Sequence, residues 1–230
     1  RNVNELRPLS IQWNPMTFPL SSLIINCGRT SVLCSVSVQE SVPNWMKDQG
    51  KGWLNAEYRL LPGSTPTRNA REVIKLSGRT QEIQRLIARS LRSALDLNAL
   101  GERTLLIDCD VLNADAGTRT TSITGAWVAL HRACKKLIEQ GFLSKDPLKE
   151  QVAAVSVGLV DGIPMLDLDY SEDSRAEVDL NVVMDSKSRL IEVQGTAEGN
   201  PFTRNQFHSL LDLAELGLKE IRLAQQLGLK

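Results

Sequence analysis

Three segments with helical periodicity are set into a chain otherwise made of short strand-like runs, and that order limits the fold to a mixed α+β arrangement. Residues 80–97 place Ile83, Leu86, Ile87, Ser90, Leu91, Ala94 and Leu95 on one face, with Arg85, Arg89 and Arg92 away from its centre. That spacing predicts an amphipathic helix. Residues 117–141 predict a second, opening with threonines and a serine and closing on a glycine. Residues 203–227 predict a third, capped by Thr203 and carrying Phe207, Leu210, Leu211, Ala214, Leu218, Ile221 and Leu223 on its apolar stripe. Strands are expected at 23–26 and 31–38, as a hairpin around Gly28 and Arg29, then at 54–61 and 104–112. Two further pairs are expected, 152–160 with 165–170 and 176–184 with 190–194. The order predicts mixed sheets covered by helices, and with no linker-like stretch the 230 residues read as a single domain, 1–230.

With 42% hydrophobic and 23% charged residues, the composition excludes disorder and coiled coil. No run approaches the roughly 20 apolar residues of a membrane span, and Arg1 to Glu5 do not read as a signal peptide, so no membrane partner and a cytoplasmic location are expected. Cys27, Cys34, Cys109 and Cys134 lack metal-ligand spacing and read as reduced core residues. Only Cys27 and Cys34 are expected to face each other, as a packed thiol pair across the hairpin. His131 and His208 read as structural or surface residues, and neither a triphosphate-binding loop nor a nucleophile elbow is present.

Charge is neutral overall but unevenly distributed. Between Arg59 and Arg92 stand eight basic residues against two acidic ones, and between Asp161 and Asp185 eight acidic residues against Arg175 alone. Such blocks read either as a polyanion track beside a cation-seeking site or as solvated faces that balance each other.

Three constellations carry chemistry. Gly117, Thr118 and Arg119 lie where a strand turns into a helix, and unpaired N–H groups with an arginine fork suit a phosphate there; plain capping by threonine suits the same pattern. Arg79, after Gly78 and before Thr80, opens another helix and can face the same anion. In the strand after Ala176, Val178, Leu180, Val182 and Met184 alternate with Glu177, Asp179, Asn181 and Asp185. That alternation predicts an apolar face and a carboxylate face on which Asp179 need not be buried. Asp173, at a turn six residues earlier, can converge on Asp179, and paired carboxylates suit Mg²⁺ or Mn²⁺, or a general acid; a polar solvent face is the plainer reading.

These residues lie within longer runs that resemble one family over essentially the whole chain. The runs include Glu5-Leu6-Arg7-Pro8, Gly78-Arg79-Thr80, Asp108-Cys109-Asp110-Val111, Gly117-Thr118-Arg119-Thr120, Glu172-Asp173-Ser174, Asp179-Leu180-Asn181-Val182-Val183-Met184 and Gln194-Gly195-Thr196. They are similar to bacterial ribonuclease PH. The resemblance implies a phosphate-dependent 3′–5′ exoribonuclease that trims tRNA precursors, releases nucleoside diphosphates and forms a hexamer of three dimers. It implies an internally duplicated β-α-β core resembling the second domain of ribosomal small-subunit protein five. Inorganic phosphate would be held by Arg79, Gly117, Thr118 and Arg119. Asp173 and Asp179 would be catalytic and hold a divalent metal, and Arg68 and Arg71 would hold the RNA backbone. Gly63, a loop at 71–78 about two residues short, and Ala116 in place of a glycine depart from the family pattern. The rival readings are a non-catalytic RNA-binding ring subunit and a phosphate-using enzyme acting on small molecules. The retained charged residues and the basic block speak against them.

Overall fold

The computed structural model describes residues 1–229, and in these the elements run β1 (Leu9–Trp13), β2 (Ser21–Cys27), β3 (Thr30–Gln39), β4 (Trp53–Leu60), α1 (Gly78–Ser93), α2 (Leu97–Leu100), β5 (Thr104–Asn113) and α3 (Thr118–Glu139). The second half continues with β6 (Val152–Val160), β7 (Ile163–Leu166), α4 (Tyr170–Asp173), β8 (Val178–Asp185), β9 (Leu190–Ala197) and α5 (Arg204–Gly228). One sheet has the order β1-β2-β3-β5-β4 and the other β7-β6-β8-β9. All neighbours are antiparallel except β4 and β5, whose parallel pairing requires the crossover through α1. The mixed α+β architecture is as expected.

The position of α3 organises the rest. Its residues Ile123, Ala126, Leu130 and Cys134 pack in one core with Val32, Val36 and Ile107 of the first sheet and with Val152, Ala154 and Val183 of the second. A helix apolar on every side is stable only when covered on every side, and α3 lies between the two sheets. Gly125 lets it approach closely, since a Cβ there would sit 2.5 Å from Ile25 Cγ2 and 3.0 Å from Cys34 Sγ. The outer face of the second sheet, with Val155, Val157, Leu180 and Val182, is covered by Leu210, Ala214 and Leu218 of α5. Burying each such aliphatic side chain contributes roughly 1.5–3 kcal/mol.

Local chemistry sets the ends of these elements. Thr203 caps α5, as its sequence predicts, in a capping box completed by Gln206, and Ser77 caps α1 through Thr80 N. The first helix ends four residues before the expected boundary because Asp96 begins a new turn, its side chain accepting from Asn98 N while its own N–H donates to Pro147 O. The strand expected to reach residue 170 stops at Leu166. Asp167 takes a left-handed φ of 52° and Asp169 caps α4, so this stretch turns instead of extending. β1 was not anticipated, although Leu9, Ile11 and Trp13 alternate with polar residues.

Two expectations are corrected outright. Cys27 does not face Cys34, because the hairpin register pairs Cys27 with Thr30 and Cys34 with Leu23; Cys34 instead lies opposite Cys109 on β5. The face of β8 that carries Asp179 is not a solvent face, since Asn181, Val183 and Asp185 on it are all buried. The alternation is real, but α3 covers this side at Val183, and the part that carries Asp179 and Asn181 lines a cleft.

Candidate active site

A cleft of about 1190 Å³ opens beside the N-terminus of α3, with walls from both halves of the chain. Arg79, Gly117, Thr118, Arg119, Asp173 and Asp179 all line it, so the basic and acidic blocks of the sequence meet in one place. Arg68 and Arg71 do not. They are exposed on the loop after β4, whose neighbouring residues Thr65, Thr67 and Asn69 form part of the cleft wall.

The anion side is built on the turn into α3. Ala116 and Gly117 both have left-handed φ, 59° and 62°, which turns the chain sharply from β5 into the helix and leaves the first N–H groups of α3 open to the cleft. Ala116 holds this conformation at a cost of about 1–2 kcal/mol. Ala116→Gly relieves that cost but adds roughly 0.4–1 kcal/mol of unfolded-chain entropy. The expected net effect is a rise of about 2 °C in melting midpoint by calorimetry, and a lower midpoint would contradict the strain.

Three hydroxyls fix the turn. Thr30 Oγ1 donates to Ala116 O at 2.6 Å, Thr120 Oγ1 to Gly117 O at 2.9 Å, and Thr118 Oγ1 lies 2.8 Å from the buried Tyr58 hydroxyl. Behind the turn, Arg7 binds Asp167 by a fork, Nη2 to Oδ1 at 2.7 Å and Nε to Oδ2 at 3.0 Å, and donates Nη1 to Asp115 O at 2.6 Å. The pair is buried. Burial works to lower the Arg7 pKa, but the hydrogen bond to Asp167 and nearby negative charge raise it further above the ordinary arginine value. Cys27 donates its thiol to the same carboxylate at 3.3 Å, and burial, helped by the Asp167 charge, pushes that thiol up to about 12. Arg29 closes the network on Asp115 with two bonds of 3.0 and 3.1 Å.

Arg119 is aimed by neighbours from two other elements. Its Nη1 donates to Gln194 Oε1 on β9 at 2.8 Å and lies 3.5 Å from Glu82 on α1, while Gln194 Nε2 donates to Glu82 at 2.7 Å. Arg79, in the first turn of α1, makes no ion pair among the described residues and stays exposed to the cleft.

On the opposite wall, burial raises the pKa of Asp173, with Arg79, Arg119 and Arg7 working against it. Asp179 is raised by burial and then by the negative charge of Asp173, while Arg119 and the hydrogen bond from Asn181 pull it back. Asn181 Nδ2 donates to Asp179 Oδ2 at 3.1 Å and orients it. Mutual repulsion of this kind is relieved by a cation between the two carboxylates. The described residues contain no group of three or more His, Cys, Asp or Glu placed to hold a metal. Two carboxylates fit an ion such as Mg²⁺, which takes its remaining ligands from water and substrate phosphate.

The alternation places Asn181 on the face of Asp179 and the turn sequence begins at Asp115, but neither is given a role by that pattern, and no spacing points to Arg7, Asp167, Tyr58 or Gln194. His131 sits beside the Trp127 ring with centroids 5.5 Å apart and His208 is exposed, as expected of structural and surface residues.

Residues 5–136 match the 3′ exoribonuclease family, domain 1, and residues 150–216 match its domain 2. The chain is 68% identical over 229 residues to a ribonuclease PH of Prochlorococcus marinus (strain MIT 9313), covering 100% of this chain and 94% of that protein. It is 57% identical over 225 residues to the ribonuclease PH of Synechococcus elongatus, covering 98% and 94%. Among solved structures, rice Rrp46 has the same fold at TM-score 0.82 and 19% identity, covering 100% of this chain and 98% of that one. An Archaeoglobus fulgidus exosome chain, solved with RNA bound to the active site, matches at TM-score 0.80 and 22% identity, covering 99% and 89%.

Proposed function

Since this chain belongs to the ribonuclease PH family of 3′ exoribonucleases, we propose that its cleft joins inorganic phosphate to the terminal nucleotide of RNA, with Asp173 and Asp179 as its catalytic residues. The chain is a phosphate-dependent 3′–5′ exoribonuclease. The observation that carries the residue assignment is the meeting of two arginines and a helix N-terminus with two carboxylates whose pKa values are raised.

Arg79, Arg119 and the open N–H groups at Gly117 and Thr118 hold inorganic phosphate and offset its repulsion from the RNA phosphate. An oxygen of the bound phosphate attacks the phosphorus of the last phosphodiester. The bond from that phosphorus to the 3′ oxygen of the preceding nucleotide breaks, and the 3′ oxygen takes up a proton. A nucleoside diphosphate leaves, and the RNA is one nucleotide shorter. Asp173 and Asp179 stand on the leaving-group side and would hold Mg²⁺ or Mn²⁺, which when bound supplies charge stabilisation at the departing oxygen. Asn181 keeps Asp179 oriented, and Gln194 with Glu82 keeps Arg119 aimed at the phosphate. Arg68 and Arg71 add backbone attraction without reading sequence.

The substrate inferred is the 3′ end of tRNA precursors, and the assembly inferred is a hexamer of three dimers, supported by the likeness in fold to exosome chains. The whole chain, 1–230, acts as one unit through α3, and an RNA-processing role supports the cytoplasm as its compartment. The test is incubation with a tRNA precursor carrying extra 3′ nucleotides, with and without phosphate and Mg²⁺. Diphosphates should appear only with phosphate, and Arg119→Ala should lower kcat/KM for phosphate by about 10²–10³-fold. Monophosphates would refute phosphorolysis, and binding without release would identify a non-catalytic ring subunit.

A further inference from the structure

We propose that Ser156 is a further phosphate-binding residue, its hydroxyl donating to the attacking phosphate from beneath the Gly117 turn; this rests on the reading of Gly117, Thr118 and Arg119 as the phosphate site. Ser156 lies in the middle of β6 and is 3% exposed, yet its Oγ has no hydrogen-bond partner. Buried hydroxyls are nearly always paired, because an unpaired one loses water and gains nothing. Among the described residues with such orphaned atoms, Ser156 is the one that lines the cleft.

Its position explains the missing partner. Ser156 shares the α3-facing side of β6 with Val152 and Ala154, but α3 begins only at Thr118, so beyond Ala154 this face runs out from under the helix and into the cleft. A Cβ built on Gly117 would lie 3.8 Å from Ser156 Oγ, so the hydroxyl sits directly against the turn that holds the anion. The other hydroxyls at this turn all have partners: Thr30 donates to Ala116 O, Thr120 donates to Gly117 O, and Thr118 shares a hydrogen bond with Tyr58 in which either oxygen can donate. Ser156 is the hydroxyl at the turn with no partner. Its register partner on β8 is Asn181, which orients Asp179. The hydroxyl therefore lies between the phosphate turn and the carboxylate wall, where the nucleophile must approach the reacting phosphorus. A donor held in a rigid strand with no competing acceptor loses nothing on redirection and meets a charged oxygen already oriented.

Binding and structural roles for this hydroxyl predict opposite effects of its removal. Ser156→Ala in the full chain should raise the KM for inorganic phosphate about tenfold while leaving the KM for RNA unchanged. It should leave the phosphate-free melting midpoint equal or higher, because it deletes an unsatisfied buried group, and it should shrink the rise in midpoint produced by inorganic phosphate. An unchanged phosphate KM with an undiminished phosphate-induced shift would overturn the proposal and leave the Gly117 turn as the phosphate site. A fall in the phosphate-free midpoint with both KM values raised together would also overturn it, showing a structural hydroxyl. If phosphate neither stabilises the unmodified chain nor drives nucleotide release, the reading of the turn fails, and Ser156 fails with it.

Discussion

Asp179→Asn should abolish phosphorolysis while making the protein more stable. The substitution keeps the size of the side chain but removes a charge that the structure holds at a cost, since burial and the neighbouring Asp173 both raise its pKa. A carboxyl with a raised native pKa keeps its proton after the unfolded chain has released it. Stability therefore falls as pH rises from the ordinary carboxylate range through the raised value, and stays reduced above it. An amide at this position does not titrate, so at neutral pH the variant should melt above the parent, and below the ordinary carboxylate range the difference should vanish. Activity should move the other way, with kcat down by at least about 10²–10³-fold, the loss that follows removal of one preorganised charge-stabilising group. Calorimetry at neutral pH and at a pH well below the ordinary carboxylate range, alongside diphosphate release, checks both halves. A variant that loses activity and also loses stability at neutral pH would mean that the carboxylate serves the fold.

Arg7→Ala should produce the largest loss of stability of any single substitution near the cleft. The guanidinium satisfies both oxygens of a buried carboxylate and a carbonyl of the phosphate turn. Removing one member of a buried pair typically costs about 3–5 kcal/mol, because the other charge is left without compensation. That is roughly a fifth or more of the stability of an ordinary domain. A fall of about 10 °C in melting midpoint is expected for a chain of this length. Asp167→Asn added to Arg7→Ala should restore part of it, since the stranded charge is then gone. If Arg7→Ala melts within 2 °C of the parent, the pair does not hold the turn, and the network drawn around Asp115 is decorative.

How far the site was legible from the sequence depends on chain distance. Gly117, Thr118 and Arg119 are adjacent, and Asp173 and Asp179 are six residues apart, so local pattern and charge were enough to nominate them. Arg7 and Asp167 are 160 residues apart, and nothing in the spacing around either one announces the other. Ser156 is hidden for a different reason: a serine in an apolar strand looks like an ordinary core position until the end of α3 is located. The same missing information left the surroundings of Asp179 open. Alternation along β8 shows two faces, but packing decides what covers each: α3 covers this side at Val183 and leaves Asp179 and Asn181 to the cleft rather than to open solvent. The cysteine pairing failed for two reasons: the hairpin closes at Cys27 and Thr30, which sets Cys34 opposite Leu23, and the strand on the other side of β3 is β5, which brings Cys109 to Cys34.

The burial of α3 between two sheets also sets a schedule for synthesis. Residues Thr120 to Leu130 are buried without interruption, and part of that surface is covered by β6 and β8, which are translated later. At roughly 5–20 residues per second, the ribosome needs several seconds to pass from the end of α3 to the end of β8. During that interval the nascent chain carries a helix with one apolar side bare, and until Asp167 is made the anion turn lacks the carboxylate that fixes Arg7 behind it. Newborn chains crowded on one messenger therefore meet each other with an adhesive helix exposed. The interval before β8 emerges is when the nascent chain is most open to self-association.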